Sequence, residues 1–180
     1  LDRDDTLNYD PGHLGDPNLV KLYPYVPEVL FELREILGYK LIVISNQAGI
    51  TKGLILEEDV IAVNNKINEL LSENKTKIDD FFYCPYHPDF DTPEKAKCRK
   101  PSPLMILNAI KKYNIDKTKS YLIGDRITDI QAGNNVPITT IFVEHSIYKM
   151  PSQEIKECRI KANYTANNFN FALQIIKNNK

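Results

Sequence analysis

Leu1-Asp2-Arg3-Asp4-Asp5-Thr6-Leu7-Asn8 opens the chain, and the rest of the sequence is organised around it. Asp2 and Asp4 stand two apart, Thr6 follows, and a polar loop rich in proline and glycine comes next. With Leu1 and Asp2 ending a strand, the period of two sends Asp2 and Asp4 toward the same side. Carboxylates held that close repel unless a cation lies between them or one keeps a proton. A hard divalent ion such as Mg2+ suits so oxygen-rich a setting. The chemistry open to the pair is Asp2 as nucleophile and metal ligand, with Asp4 as general acid/base. A solvated acidic turn would carry the same letters, so the decision rests on residues downstream.

Residues 9 to 26 form a loop punctuated by Pro11, Gly12, Gly15, Pro17 and Pro24, too short for a cap domain. Pro27 and Gly38 then bracket a helix in the usual asymmetry, with Val29, Leu30, Leu33, Ile36 and Leu37 at helical spacing. Lys40 to Ile44 is a continuous apolar run that suits a strand covered on both faces. It ends at Ser45-Asn46-Gln47-Ala48-Gly49-Ile50. Residues 57 to 73 carry a second helical pattern, and Phe81 to Cys84 a short strand. A proline-rich loop leads to Cys98-Arg99-Lys100-Pro101, with Ser102 as N-cap and Pro103 in the first turn of the next helix. Ser120 to Ile123 is a strand ending at Gly124-Asp125-Arg126-Ile127-Thr128-Asp129, and Thr139 to Val143 a further one. Residues 144 to 166 read as irregular or weakly patterned, before a final helix at about 168 to 177.

Strand and helix alternate, with polar clusters at successive strand ends. The fold class this predicts is α/β: a Rossmann-like parallel sheet with helices on both faces, no large cap domain, and one domain over residues 1–180. Only Leu1 is present to supply the apolar start of the first strand, which leads us to expect a natural chain that begins a few residues earlier. Hydrophobic residues make up 42% and the net charge is -1, a balance of an ordinary soluble protein and not of a nucleic-acid or membrane binder. No apolar run approaches the roughly 20 residues of a membrane span. Three cysteines do not make a disulfide framework, and a cytoplasmic, monomeric protein is expected.

Four clusters fall at strand ends: Asp2/Asp4, Ser45/Asn46, Arg99/Lys100 and Asp125/Asp129. Each alone could be a turn or a solvated pair; all four in this order make coincidence a poor explanation. As an ordered set they resemble the motifs of the haloacid dehalogenase superfamily of aspartate-based phosphatases. Asp2-Arg3-Asp4, Ser45 to Ile50, Cys84-Pro85, Cys98 to Pro101 and Gly124-Asp125-Arg126 are similar to its D-glycero-D-manno-heptose 1,7-bisphosphate phosphatase and histidinol-phosphatase branch. The likeness runs from Leu1 to about Val143.

The resemblance implies an Mg2+-dependent phosphatase acting on a small phosphorylated metabolite. The expected substrate is the heptose bisphosphate, with histidinol phosphate or a weakly active phospho-ligand-binding module as alternatives. It implies Asp2 as nucleophile, Asp4 as acid and then base, and Mg2+ between Asp2, the Asp4 carbonyl and Asp125. Asp129 would hold the metal's waters or orient Lys100. Ser45, the Asn46 backbone and Lys100 would bind phosphoryl oxygens, with Arg3 and Arg99 toward the substrate. A nucleic-acid 3′-phosphate is disfavoured by the near-zero charge.

Three departures stand out. Asp5 occupies a position that is usually Gly, adding negative charge near the phosphate; if φ is positive there, Asp is among the cheaper replacements. The branch's structural zinc loop keeps only Cys84 and Cys98, with His87 one place off, Tyr86 where a His is usual and Ala96 where a Cys is usual. Such a degenerate set falls short of four ligands. A loop free of zinc, held by packing and prolines, is therefore expected, the alternative being a weaker site completed by water or Asp91. The third is the short first strand. His13 is expected to face solvent, His145 has no assigned role, and Cys158 reads as a partly buried small side chain.

Overall fold

β-branched and apolar runs become strands where both faces can be covered, and five such runs do so here. The computed structural model describes residues 1–179, the Ile147 side chain excepted. The strands are β1 (Ile42–Asn46), β2 (Asp80–Cys84), β3 (Tyr121–Gly124), β4 (Thr139–Val143) and β5 (Tyr164–Ala166). β1 pairs with β2, β3 with β4 and β4 with β5, all in parallel. Leu1 and Asp2 join the two groups. The Leu1 amino group donates to Ile42 O at 2.9 Å, Ile44 N donates to Leu1 O at 2.7 Å, and Asp2 N donates to Ile123 O at 2.9 Å. The resulting order is β2-β1-(Leu1–Asp2)-β3-β4-β5, so Asp2 sits where the chain's connections diverge to opposite sides. Ligands of open parallel sheets bind at such a switch point.

The described residues form seven α-helices: α1 (Val26–Phe31), continued by a π-helical turn over Glu32–Ile36, α2 (Glu57–Ser72), α3 (Pro93–Ala96), α4 (Leu104–Tyr113), α5 (Ile127–Asn134), α6 (Ser152–Lys161) and α7 (Phe169–Asn178). Alternation along the strands assigns the faces. Val43, Ile123, Ile141 and Val143 pack with Val29 and Leu30 of α1, Val63 and Ile67 of α2, and Phe169 and Ile176 of α7. Ile42, Ile44 and Leu122 pack on the other side with Met105 and Ala109 of α4 and Ala132 of α5. The Rossmann-like layering predicted from sequence is present. No helix among the described residues is long and apolar enough to cross a membrane.

Residues 144–166 depart from expectation. They are not irregular but hold a 3-10 turn (Ile147–Lys149), α6 and β5. Of α6 only Cys158 is buried, so its sequence shows no apolar stripe for periodicity to detect. Cys158 itself is fully buried rather than partly so, against Ile130 and Phe142. The helix after Lys100 begins at Leu104, with Pro103 as its cap and not in its first turn.

α5 lies close against β3 and β4 because Gly133 lets it. A Cβ there would stand 2.4 Å from Thr140 Cγ2 and 3.2 Å from Leu122 Cδ2. Thr140 cannot turn aside freely, since its Oγ1 lies 3.0 Å from Asn163 Oδ1 and 3.3 Å from Asn134 Oδ1. Gly133→Ala gains up to about 1 kcal/mol of helix propensity and meets an overpacking cost of about 1–3 kcal/mol. The clash wins. Urea unfolding is expected to show a net loss of stability, and an unchanged or raised midpoint would show that the helix can move outward at no cost.

Candidate active site

The polar side chains that the fold buries gather at the C-terminal ends of the strands. Asp2 ends the central segment, Ser45 the buried part of β1, and Asp125 follows β3. Lys100 reaches this point from the loop before α4. Its Nζ lies 2.7 Å from Asp2 Oδ1, 2.6 Å from Asp129 Oδ1 and 2.7 Å from Ile44 O. The lysine is fixed at its backbone by Asn46: Lys100 N donates to Asn46 Oδ1 at 2.9 Å, and Asn46 Nδ2 donates to Lys100 O at 3.1 Å. The role expected for Asn46 lies at its backbone; its side chain also ties the tip of β1 to the loop before α4.

Asp2, Asp125 and Asp129 are buried, and their nearest ligand oxygens all lie within 4.8 Å of one another. Burial, then Asp129, push the Asp2 carboxyl up to about 7 against the pull of Lys100. Burial, with Asp2 and Asp129, raises the Asp125 carboxyl well above the carboxylate range. Burial by itself would lower the Lys100 ammonium, but Asp129 and Asp2 outweigh it and hold it above the ordinary lysine range. One ammonium cannot balance three buried carboxylates, so the cluster holds protons or takes up a cation. Oxygen-only donors fit a hard divalent ion. Asp125 is oriented by two hydroxyls absent from the sequence-based list: Thr6 Oγ1 donates to Oδ1 at 2.8 Å, and Ser146 Oγ to Oδ2 at 3.2 Å. Gly124 makes room for Asp129, whose Cβ would be 2.5 Å from any side chain there. Asp129 Oδ2 in turn accepts from Arg126 N at 3.0 Å, anchoring the carboxylate to the start of α5.

Asp4 has the opposite environment. Arg3 Nε and Nη2 donate to its two oxygens at 3.0 Å each. Gln47 Nε2 adds a bond of 2.7 Å and Asn8 Nδ2 one of 3.1 Å. Burial would raise this carboxyl, but the charge and hydrogen bonds of Arg3, with Gln47 and Asn8, hold it below its ordinary value. Gln47 Nε2 also donates to Ser45 Oγ at 2.8 Å. Arg3 corrects the sequence reading: its guanidinium is buried and turned onto Asp4 and Asn64, not toward a ligand. Arg99 is half-buried and donates to Tyr86 O at 3.4 Å.

Asp5 does take the left-handed conformation, with φ 55°. Its charge is met by Lys149 Nζ, and its Oδ1 also accepts from Tyr23 Oη at 3.3 Å and Asp10 N at 3.2 Å. His145, given no role above, has one: Nε2 lies 3.0 Å from Asp5 O, and the ring stacks on Tyr23 at 3.9 Å. Burial lowers its pKa, keeping the imidazole neutral. His13 is exposed, as expected.

The loop over residues 84–98 differs from both earlier alternatives. Cys84 and Cys98 are joined as a disulfide, so prolines and packing are not its only restraints. Asp91 Oδ2 adds a hub, accepting from Thr51 Oγ1 at 2.7 Å and His87 N at 2.9 Å. His87 turns to its own loop, where Nδ1 accepts from Asp89 N at 3.2 Å. Cys84, His87 and Cys98 are not brought together as a metal-ligand set; among the described residues only the Asp2 cluster is. A cleft of about 820 Å3 opens at the opposite ends of the strands beside Leu41, Ile110 and Tyr121 and shares none of this chemistry.

Such carboxylates around a lysine, at the switch point of a parallel sheet, define a haloacid dehalogenase-like phosphatase. A family model described as HAD-hydrolase-like matches residues 97–171. The D-glycero-D-manno-heptose-1,7-bisphosphate 7-phosphatase of Chlorobaculum tepidum is 37% identical over 152 residues, 79% of this chain and 76% of that protein. The D-glycero-beta-D-manno-heptose-1,7-bisphosphate 7-phosphatase of Photorhabdus laumondii is 36% identical over 143 residues, 78% of this chain and 76% of its own. Among solved structures, the D,D-heptose 1,7-bisphosphate phosphatase from B. bronchiseptica, complexed with magnesium and phosphate, shares the fold. Its TM-score is 0.82 at 20% identity, over 99% of this chain and 97% of that one. The chain belongs to the heptose-bisphosphate phosphatase family of haloacid dehalogenase-like hydrolases.

The disulfide sets a chemical expectation. Protein purified without reductant and then denatured should titrate one thiol per chain, that of Cys158, rising to three after reduction. Elemental analysis should find well under one zinc, since no thiolate remains in the 84–98 loop to bind it. Three thiols without reduction, or one tightly held zinc, would overturn the pairing.

Proposed function

We propose that this chain is an Mg2+-dependent phosphatase that hydrolyses D-glycero-D-manno-heptose 1,7-bisphosphate through an aspartyl-phosphate on Asp2. The observation that supports it most is the Asp2–Lys100–Asp129 cluster beside Asp125, buried at the switch point of the sheet. The reading treats residues 1–180 as one catalytic domain. Asp2 and Asp125 side chains, with the Asp4 carbonyl, would hold Mg2+, which when bound neutralises phosphoryl charge and the surplus of the carboxylates.

With Asp2 Oδ1 engaged by Lys100, Oδ2 is the atom that attacks phosphorus. The bond from phosphorus to the sugar oxygen breaks, and protonated Asp4 gives that oxygen its proton. Asp4, now a carboxylate, takes a proton from water as the water oxygen bonds to phosphorus and the Asp2–phosphorus bond breaks. Inorganic phosphate leaves, and Asp2 is restored. The donors around Asp4 favour its carboxylate form, which suits the second half of the cycle and makes the first half the more demanding one. Lys100, Ser45 and the Asn46 backbone would meet the phosphoryl oxygens. The Asp5 charge, which with the eroded zinc loop favours a weakly active binding module, is paired with Lys149 and so loses that weight.

Asp2→Asn should fold normally and lose several orders of magnitude of heptose-bisphosphate hydrolysis, as expected for a covalent nucleophile. Turnover within about tenfold of the parent would sink the assignment.

Metal binding should depend on pH with a definite sign. The Asp2 carboxyl, raised from 3.8 to about 7, favours the metal-free fold at low pH and withdraws that support as pH rises through 7. Bound Mg2+ needs the deprotonated form. Mg2+ added to chelator-treated protein should therefore raise the melting temperature more at pH 8 than at pH 5.5. Equal shifts at the two pH values would contradict the cluster as the metal site.

A further inference from the structure

The buried arginine between the two motif aspartates has no part in the cycle above, although it is among the largest fully buried side chains in the protein. Arg3 is 1% exposed, and its three donor nitrogens all point inward: Nε and Nη2 to the two oxygens of Asp4, and Nη1 to Asn64 Oδ1 at 3.0 Å. A planar fork against a planar carboxylate fixes the plane of the carboxylate as well as its distance, which a single donor cannot do. Gln47 meets Oδ2 and Asn8 meets Oδ1 with one bond each, from two separate segments, whereas Arg3 holds both oxygens from a single plane. Asn64 in turn fixes the fork. It lies on α2, whose Val63, Ile67 and Leu71 are seated in the main core, so the orientation of Asp4 is referred to a rigid helix 61 positions away. Withdrawing the guanidinium to contact a ligand would leave Asp4 and Asn64 without their principal partner, and a polar group left unpaired away from water is costly.

We propose that Arg3 and Asn64 are positioning residues for Asp4: together they hold its carboxyl group in the plane from which it delivers a proton to the leaving sugar oxygen. This rests on the assignment of Asp4 as the group that protonates the leaving group. In that step the O–H bond of Asp4 breaks, the proton joins the sugar oxygen as its bond to phosphorus breaks, and Asp4 is left as a carboxylate. Neither Arg3 nor Asn64 touches the substrate, so their effect should follow the need for that proton and nothing else. An alkoxide leaves only with a proton; a nitrophenolate leaves without one.

The test compares kcat/KM for two substrates, because this parameter covers steps up to phosphoryl transfer onto Asp2 and not the hydrolysis that follows. The alkyl substrate is the heptose bisphosphate, or glycerol phosphate if the parent refuses the heptose; the aryl substrate is p-nitrophenyl phosphate. Asn64→Leu keeps the volume and removes the acceptor. It should lower kcat/KM for the alkyl substrate by about tenfold or more, a part of the 10²–10⁴ that general acid catalysis contributes. For the aryl substrate the fall should stay within about threefold. Arg3→Lys, which keeps the charge and loses the fork, should show the same pattern more strongly; if burial of the lysine prevents folding, Asn64→Leu decides alone. Equal falls on the two substrates would mean a merely structural role, and no fall on either would mean that Asp4 is positioned without them; each overturns the proposal. A parent that refuses the heptose bisphosphate but hydrolyses glycerol phosphate would overturn the substrate assigned above, while this comparison would still be read on the simpler pair.

Discussion

The contact on which the rest depends is the buried ammonium of Lys100 between Asp2 and Asp129. Taking such groups out of water costs several kcal/mol per ion, and mutual attraction recovers it only with good geometry and further hydrogen bonds. Hydrophobic side chains of similar size would give a more stable fold. The cluster is therefore a constraint that the architecture serves: the Asn46 side chain fixes the lysine backbone, Gly124 clears space for Asp129, and Ile44 O takes the remaining proton of the ammonium. Stability comes instead from the apolar layers on the two faces, in which the strand residues between these tips take part.

Two aspartates two positions apart are driven in opposite directions. Asp2 is pushed to about 7 by burial and by Asp129, while the Arg3 fork holds Asp4 below its ordinary value. Burial raises both, so it is the partners of Asp4 that reverse the sign there. A pair of like groups whose environments separate them can be given different chemical roles. Sequence spacing shows that the two carboxylates share a side; it does not show which keeps its proton, because Asn64, Gln47 and Asp129 come to them from three other segments.

What was legible in the sequence was whatever repeats or ends a repeat. The strands are short apolar runs and the polar clusters sit where those runs stop, so β1 to β4, α2, α7 and the gathering of Asp2, Lys100, Asp125 and Asp129 could be read from order alone. α5 and α6 could not. α5 is short and contains Gly133, a poor helix former kept for close packing, and α6 buries little beyond Cys158. The role of Arg3 was misread because charge beside a catalytic motif looks like a ligand contact until burial is known. The Cys84–Cys98 pair was assessed only as half a metal site, since the separation of 14 residues says nothing about where the two sulfurs meet.

The segment after β4 shows how a stretch without periodicity becomes ordered. Its residues are fixed one by one by polar contacts with the first and last motifs. His145 meets the Asp5 carbonyl, Ser146 donates to Asp125, and Lys149 pairs with Asp5 while also donating to Asp10 O at 2.9 Å. Asp5 is the centre of this set, and it stands where the family usually has a glycine. A glycine would accept the φ of 55° at less cost, but it would give Lys149, Tyr23 and the Asp10 amide nothing to hold. The acidic side chain thus exchanges a small backbone cost for a tie to Lys149, 144 residues later, while the His145 contact is to the Asp5 carbonyl and would survive in a glycine. The departure that looked unhelpful in the sequence is, in the folded chain, a side-chain tie that gathers Lys149, Tyr23 and the Asp10 amide onto the first motif.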